Sequence, residues 1–172
     1  MMADLPPDAL EPEAVLDARQ TAIYDLSQTP DLLQQLVLDV PEARFDDAMP
    51  GAWSARLVLA HLLAVEWQTF RLRLERTLSE DQPVVTPFDA RAWAARQQQL
   101  PLERVAKVVT DFSVQRAASV RMLENVSPDD WARTMLHSEH GPFTLDELLQ
   151  LWVRHDQQHL DQLTALLDRP DA

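Results

Sequence analysis

The stretch from Phe143 to Leu167, FTLDELLQLWVRHDQQHLDQLTALL, predicts a long helix that closes the fold. Thr144 is a suitable N-cap, and the helix dipole stabilises acidic residues such as Asp146 and Glu147 in a first turn. Apolar residues then recur three and four positions apart and define one stripe: Leu148, Leu151, Trp152, Leu163 and Leu166. The prediction is an amphipathic helix with this stripe turned towards a core.

Two histidines interrupt the apolar stripe. His155 and His159 are four residues apart, so their side chains stand one above the other on the inward face. A histidine on an apolar face is commonly a core residue with a satisfied hydrogen bond. The pair is therefore either half of a metal site or a polar part of the core, and by itself it is only a weak indication of metal.

Composition predicts a soluble, all-α protein of one domain, residues 1–172. The chain has 172 residues with only two glycines, no cysteine and a formal net charge of −13, from 28 acidic and 15 basic residues. The missing cysteines exclude disulfides and thiolate metal ligands, and the few glycines favour helices over sheet. An acidic chain argues against nucleic-acid binding. The nearest approach to a basic cluster, Arg71, Arg73 and Arg76, is interpreted as solvated helix surface.

The first residues and the hydropathy indicate no export or membrane segment. Residues 1–12 are acidic and proline-rich and are expected to form a loose arm. No apolar run approaches the ~20 residues that a membrane-spanning helix needs. We therefore expect a cytoplasmic protein without a membrane partner.

Four long amphipathic segments and several short ones predict a four-helix bundle with accessory helices. The predicted helices are 13–27, a restart at Pro30 that runs to about residue 39, 54–78 capped by Ser54, 89–98, 102–124, and the closing helix. Pro50-Gly51 predicts a turn before the second long helix. Residues 79–87 are expected to form a loop, and residues 135–142 a small hairpin or extended loop.

A third inward histidine lies on the second long helix. His61 shares a face with Leu57, Val58, Val65 and Leu72, whereas Glu66 lies on a second apolar stripe of the same helix. Three separate polar insertions into one core would each cost free energy unless hydrogen-bonded, and one shared ion would explain all three. The predicted ligand set is His61, His155 and His159.

Three imidazoles without cysteine suit Zn²⁺, Ni²⁺ or Fe²⁺, and three protein ligands leave coordination positions open for substrate. Asp156 points about 100° away from His155 on a helix and is not counted as a ligand. Gln158 and Gln162 lie within one turn of the pair and either orient the imidazole rings or belong to the helix surface.

Several of these residues together resemble the DinB-like (DinB/YfiT-type) family. The segment Gly51–Glu66, GAWSARLVLAHLLAVE, is similar to the start of the second helix in that family. The remaining matches follow in the family's order: Phe112-x3-Arg116, Trp131, His137-x3-Gly141 leading to Thr144-Leu145, and His155-Asp156-x2-His159-Leu160. The resemblance covers about residues 29–167.

The resemblance implies an antiparallel four-helix bundle, often dimeric, with one divalent metal held by three histidines at His61, His155 and His159. Characterised relatives are S-transferases that use low-molecular-weight thiols such as bacillithiol or mycothiol, or a thiol-dependent isomerase. Many other members have no known activity. The family name is shared with a DNA polymerase and implies no polymerase activity.

Two further pairs of residues carry open interpretations. Glu66 and Arg116 both lie on apolar helix faces and form either a buried ion pair between helices or a site where Arg116 meets a substrate carboxylate. His137 and His140 are interpreted as loop residues, although His137 is also a candidate acid/base group at the mouth of the site.

The leading functional hypothesis is a metal-dependent thiol S-transferase acting on a small-molecule substrate, with a homodimer as a possible assembly. The first alternative is a non-enzymatic, stress-related bundle protein. The second is a metal-dependent hydrolase that uses the same three ligands.

Overall fold

The computed structural model describes residues 12–100 and 103–168. Its helices are α1 (Pro12–Val37), α2 (Ala55–Val65), α3 (Leu72–Ser79), α4 (Ala90–Gln97), α5 (Val105–Glu124) and α6 (Leu145–Leu167). A π-helix, Glu66–Arg71, joins α2 to α3 into one long rod, and short 3-10 helices cover Glu42–Asp46 and Asp130–Ala132. The predicted loose arm lies outside the described residues, except for Pro12, which begins α1.

Four rods form the predicted bundle: α1, the rod from α2 to α3, α5 and α6. Contacts between α1 and α6 advance together from Arg19–Asp146 to Thr29–Asp156, so these two helices run in the same direction. The α2 rod opposes α6, because His61 meets His155 while Glu66 meets Trp152. The α2 rod and α5 run in the same direction, because Arg56 meets Glu103 while Glu66 meets Arg116. Each helix therefore packs against one parallel and one antiparallel neighbour, so the antiparallel arrangement that the resemblance implies holds for only one neighbour of each helix. The all-α, four-helix-bundle prediction is confirmed.

Buried apolar residues form two main clusters on either side of a polar layer. One cluster includes Leu26, Phe70 and Trp152, and the other includes Phe112 and Leu163. Along α6 the buried Asp156 separates Trp152 of the first cluster from Leu160 of the second. The buried side chains of Glu66, Arg116 and Asp156 lie in this intervening layer.

The predicted break at Pro30 is wrong, because α1 continues through this proline. A proline inside a helix lacks the N–H that would bond the carbonyl four residues earlier, here Leu26. Arg116 supplies the missing donor from α5, with Nη1 bonding the Leu26 oxygen at 2.9 Å. A tertiary contact thus replaces the bond that proline removes.

The π-helix changes which side chains face inward after Phe70. Its wider turn adds a residue, which rotates every later side chain by about 100° relative to an uninterrupted α-helix. Leu72, predicted to share the face of His61, is 45% exposed, whereas Arg73 is only 7% exposed. The interpretation of Arg73 as solvated surface is therefore wrong, and its burial follows from this shift.

A three-stranded sheet lies at the end of the bundle where α6 begins. The predicted hairpin is confirmed as β2 (Thr134–His137) paired antiparallel with β3 (Gly141–Thr144). The supposed loop before α4 also contains β1 (Val84–Val85), which pairs parallel to β2 and places Val85 opposite His137. Gly141, with φ +80°, makes the hairpin turn in a backbone region that L side chains rarely adopt.

The start of α6 matches the sequence prediction closely. Thr144 Oγ1 accepts the backbone N–H of Glu147, and the Glu147 carboxylate accepts the N–H of Thr144, which forms a capping box. Leu151 differs from the predicted stripe because it is 39% exposed on the wall of a cleft. Among the helices described, none is both long enough and apolar enough to cross a membrane.

Candidate metal centre

The structure brings His61, His155 and His159 together. One nitrogen from each ring lies within 4.8 Å of the other two. His61 comes from α2 and the other two from successive turns of α6, so the crossing of two helices creates the cluster. The ring centroids are separated by 5.3 Å for His61–His155, 4.9 Å for His61–His159 and 4.5 Å for His155–His159.

The spacing of the nitrogens suits a metal ion. Nε2 of His155 lies 3.3 Å from Nε2 of His61. Two nitrogens bound tetrahedrally to one ion at ~2.0–2.1 Å lie about 3.3 Å apart, so this separation needs no rearrangement for shared ligation. The same distance also permits a hydrogen bond between the two rings, which is the core-histidine alternative.

The tautomer of His159 favours the metal interpretation. Its Nδ1 lies 2.8 Å from Oε1 of Gln162, and because an amide oxygen accepts hydrogen bonds, Nδ1 carries the proton. In the neutral ring this leaves Nε2 with a free lone pair at the cluster. The prediction that Gln162 orients a ring is therefore confirmed, whereas Gln158 is an exposed residue of the cleft wall.

The other two rings have no such bond among the described residues. Nδ1 of His61 and Nδ1 of His155 are both buried without a hydrogen-bond partner. The Asp156 carboxylate lies 4.0 Å from Nδ1 of His155. Asp156 thus lies near the ring without a hydrogen bond to it and points towards Arg116, which agrees with its exclusion from the ligand set.

Burial keeps two of the imidazoles neutral. It lowers the pKa of His61 to about 3, and the neighbouring His159 and His155 rings act in the same direction. Burial and the nearby His155 also lower the pKa of His159. Trp53, Phe88 and Trp93 enclose His61 with ring centroids at 5.1, 5.5 and 5.5 Å. Neutral nitrogens in an aromatic enclosure are available as ligands at physiological pH.

We expect the metal-free protein to lose stability between pH 7 and pH 5. An unfolded histidine gains its proton near pH 6.5, whereas folded His61 stays neutral to about pH 3, so acidification favours the unfolded chain. This one group lowers the unfolding free energy by about 2 kcal/mol at pH 5. Denaturant titrations of chelator-treated protein at both pH values measure the loss.

A His61→Leu variant should show a smaller pH-dependent loss, while the exposed His140→Gln should behave as wild type. Asp156 does not affect this pH range. Burial would raise its pKa, but Arg116 lowers it to about 2, so the contribution of Asp156 to the unfolding free energy is lost only below pH 4. An unchanged pH dependence in His61→Leu would contradict the assignment.

The three histidines open into a cleft of about 910 Å³. Its walls come from the α2 rod, the sheet, the segment before α4 and the first turns of α6. Apolar lining comes from Trp53, Val65, Phe70, Phe88, Phe143 and Leu151. The cleft therefore offers a reacting molecule both the histidine cluster and an apolar wall.

Arg116 lies behind the centre and outside the cleft. It is 1% exposed and bonds Glu66 Oε2 at 2.8 Å and Asp156 Oδ2 at 2.5 Å. Trp152 Nε1 donates to the same Glu66 oxygen at 3.1 Å, and Thr29 Oγ1 donates to Asp156 at 2.7 Å. The buried ion-pair interpretation is confirmed, with Asp156 as a second partner that the sequence did not indicate.

The two hairpin histidines line the cleft. His137 lies in β2 and is 7% exposed, while His140 is exposed in the turn and stacks on it with centroids 4.7 Å apart. The interpretation of His137 as a loop residue is wrong, since pairing with Val85 and Gly141 orders it within the sheet. Its place at the mouth of the site agrees with the alternative interpretation, although its acid/base role stays a prediction.

Sequence comparisons match the chain to a family model and to proteins whose names describe them as metal-dependent. The family model described as the DinB superfamily matches residues 25–163. "Putative metal-dependent hydrolase OB0782" of Oceanobacillus iheyensis is 28% identical over 151 residues, covering 87% of this chain and 86% of that protein. "Putative metal-dependent hydrolase YfiT" of Bacillus subtilis is 24% identical over 152 residues, covering 86% and 83% of the two chains.

Two solved structures share the fold. YfiT from Bacillus subtilis, described as having an unusual four-helix bundle topology, superposes with a TM-score of 0.80 at 21% identity, covering 95% of this chain and 91% of that one. The mycothiol-dependent maleylpyruvate isomerase superposes with a TM-score of 0.61 at 18% identity, covering 90% of this chain and 61% of that one. At these identities the likeness establishes the architecture alone.

Proposed function

The chain belongs to the DinB superfamily, and from that premise we propose that it is a metal-dependent S-transferase for low-molecular-weight thiols. The observation that carries the proposal is the cluster of His61, His155 and His159, whose nitrogens lie within 4.8 Å at the base of an open cleft. The cytoplasmic location and homodimeric assembly expected from the sequence belong to the same proposal.

The residues around the cluster support a working site over a purely structural one. A divalent ion bound by the three histidines would lower the pKa of an incoming thiol and so supply a thiolate near neutral pH. Gln162 holds the ring of His159 from behind, and the aromatic wall limits water around His61. The cleft leaves room for both the thiol and its electrophile.

Hydrolysis is the second candidate, since the names of the similar proteins specify it. A metal-dependent hydrolase commonly needs a carboxylate to take a proton from water. Within the described part of the cleft wall, the carboxylates are Asp146, which is paired with Arg19, and Glu147, which caps α6. Glu66 and Asp156 are held by Arg116. A thiol needs no such base, and this favours transfer over hydrolysis.

We expect the Zn²⁺-, Ni²⁺- or Fe²⁺-reconstituted protein to conjugate thiols with 1-chloro-2,4-dinitrobenzene faster than the chelated protein does. The sulfur–carbon bond forms, chloride leaves and the thiol proton passes to solvent. If a thiol pKa of ~8.5 falls to ~7, the thiolate fraction at pH 7 rises from ~3% to ~50%, or about 16-fold. The lower nucleophilicity of the less basic thiolate offsets about fivefold of this gain, which leaves an expected acceleration of about threefold from ionisation alone. Absorbance of the thioether product measures it.

A parallel assay with p-nitrophenyl acetate separates the alternatives. Metal-dependent ester cleavage without conjugation across a panel of thiols would replace the transferase with a hydrolase. A non-enzymatic bundle would instead show a change in thermal stability on chelation and no turnover in either assay.

A further inference from the structure

Arg73 is a buried arginine that has no carboxylate partner among the residues that the structure describes. The other two arginines buried to a similar degree each bind two carboxylates, Arg56 those of Glu42 and Asp46, and Arg116 those of Glu66 and Asp156. Arg73 makes one hydrogen bond, from Nη2 to the Thr86 carbonyl at 2.7 Å, and no described carboxylate lies within ion-pair distance of it. Four of its five N–H donors are left over.

The uncompensated charge faces the cleft. Arg73 lines the same cleft as the three histidines, and the π-helix rotates it inward from the surface position that an uninterrupted α-helix would give it. A buried charge without a counter-ion is costly, and burial lowers the pKa of Arg73 accordingly. A bound anion would offset this cost, and a guanidinium binds a carboxylate through two parallel hydrogen bonds.

His137 offers a second donor on the facing sheet. Its Nδ1 accepts the backbone N–H of Glu139 at 3.2 Å, so the proton of the neutral ring lies on Nε2. Burial and the charge of Arg73 lower the pKa of His137, which keeps the ring neutral. Of the cleft carboxylates, Asp146 is neutralised by Arg19 and Glu147 is turned to the α6 N-terminus.

We propose that Arg73 and His137 form an anion subsite for a carboxylate of the small molecule that reacts at the histidine cluster. Only the position of the reactive end of this ligand rests on the proposed thiol function. The subsite itself is supported by the buried Arg73 in the cleft wall, which has no partner among the described carboxylates.

The two ends of the cleft set the length of the ligand. Twelve residues separate His61 from Arg73, a rise of ~18 Å along a helix, and the Arg73 side chain shortens this gap because helix side chains lean towards the N-terminus. An extended arginine spans roughly 6 Å, which leaves about 12 Å along the helix between the cluster and the guanidinium. Phe70, Phe88 and Leu151 line the same cleft, so an apolar linker is compatible with it.

A series of ω-mercapto acids and the matching ω-mercapto alcohols tests the subsite. The Co²⁺-loaded protein is titrated, and the thiolate-to-cobalt charge-transfer absorption gives each dissociation constant. We expect 8-mercaptooctanoate, about 10 Å long, to bind at least about tenfold more tightly than 8-mercaptooctanol, or ~1.4 kcal/mol. The short 3-mercaptopropionate should show no such preference.

Arg73→Gln should reduce the preference for the acid to within about twofold while the alcohol binds as before. Arg73→Lys keeps the positive charge and should retain part of the preference for the acid. This variant tests the subsite even if Arg73→Gln unfolds because it loses the hydrogen bond to Thr86. Arg121→Gln, an exposed site on α5 outside the cleft, is the matched control and should behave as wild type.

Equal affinity of the wild type for 8-mercaptooctanoate and 8-mercaptooctanol would overturn the subsite. A preference for the acid that persists in Arg73→Gln would also overturn it. Neither result contradicts the thiol function. If no thiol produces the cobalt band, the thiol function fails instead. Calorimetry of octanedioate binding to the metal-free protein then decides the subsite alone. Binding that depends on Arg73 supports it, and absence of binding overturns it.

Discussion

His155→Ala is expected to lower the affinity for a divalent metal by more than about 100-fold and to abolish stoichiometric metal in the purified protein. Changing residues that only support a ligand costs 10–100-fold in metal affinity, so removing a ligand should cost more. His155 lies 3.3 Å from His61 through their Nε2 atoms, and its loss leaves two ligands from different helices. Elemental analysis and competition with a chromophoric chelator measure the change.

His140→Ala is the matched control, because His140 lines the same cleft but is not in the three-histidine cluster. It should retain full metal content. Gln162→Ala should fall between the two, with a loss of about tenfold, since it removes only the bond that orients His159. Undiminished stoichiometric metal in His155→Ala would exclude the proposed centre.

Arg116→Met is expected to lower the unfolding free energy by about 3–5 kcal/mol. The substitution leaves Glu66 and Asp156, which are 1% and 4% exposed, as buried charges without a cation. It also removes the donor that satisfies the Leu26 carbonyl at the proline in α1. Denaturant unfolding at pH 7 measures the loss.

Two comparisons separate the effect of the unpaired charges from simple loss of packing. The triple variant Arg116→Met, Glu66→Gln, Asp156→Asn removes all the charges together and should recover much of the stability. Lys107→Met breaks the exposed pair with Asp111 and should leave stability nearly unchanged. An Arg116→Met loss no larger than that of Lys107→Met would show that the buried network does not stabilise the fold.

Periodicity and capping determined the helical rods and their ends. Ser54 and Thr144 cap the helices they were predicted to cap, with their hydroxyls accepting the N–H groups of Leu57 and Glu147. The inward placement of three histidines also followed from spacing, because side-chain direction in a regular α-helix is a local property. Metal binding by these three histidines remains a prediction.

Only the tertiary structure decided the features that break helical regularity. The π-helix rotates Leu72 outward and Arg73 into the cleft, and α1 continues through Pro30 because Arg116 bonds the Leu26 carbonyl. Asp156 likewise found its partners on two other helices. For Pro30 and Asp156 the deciding contact joins residues far apart in the chain, and local spacing carries no information about such a contact. The π-helix departs from the regular period on which an argument from spacing depends.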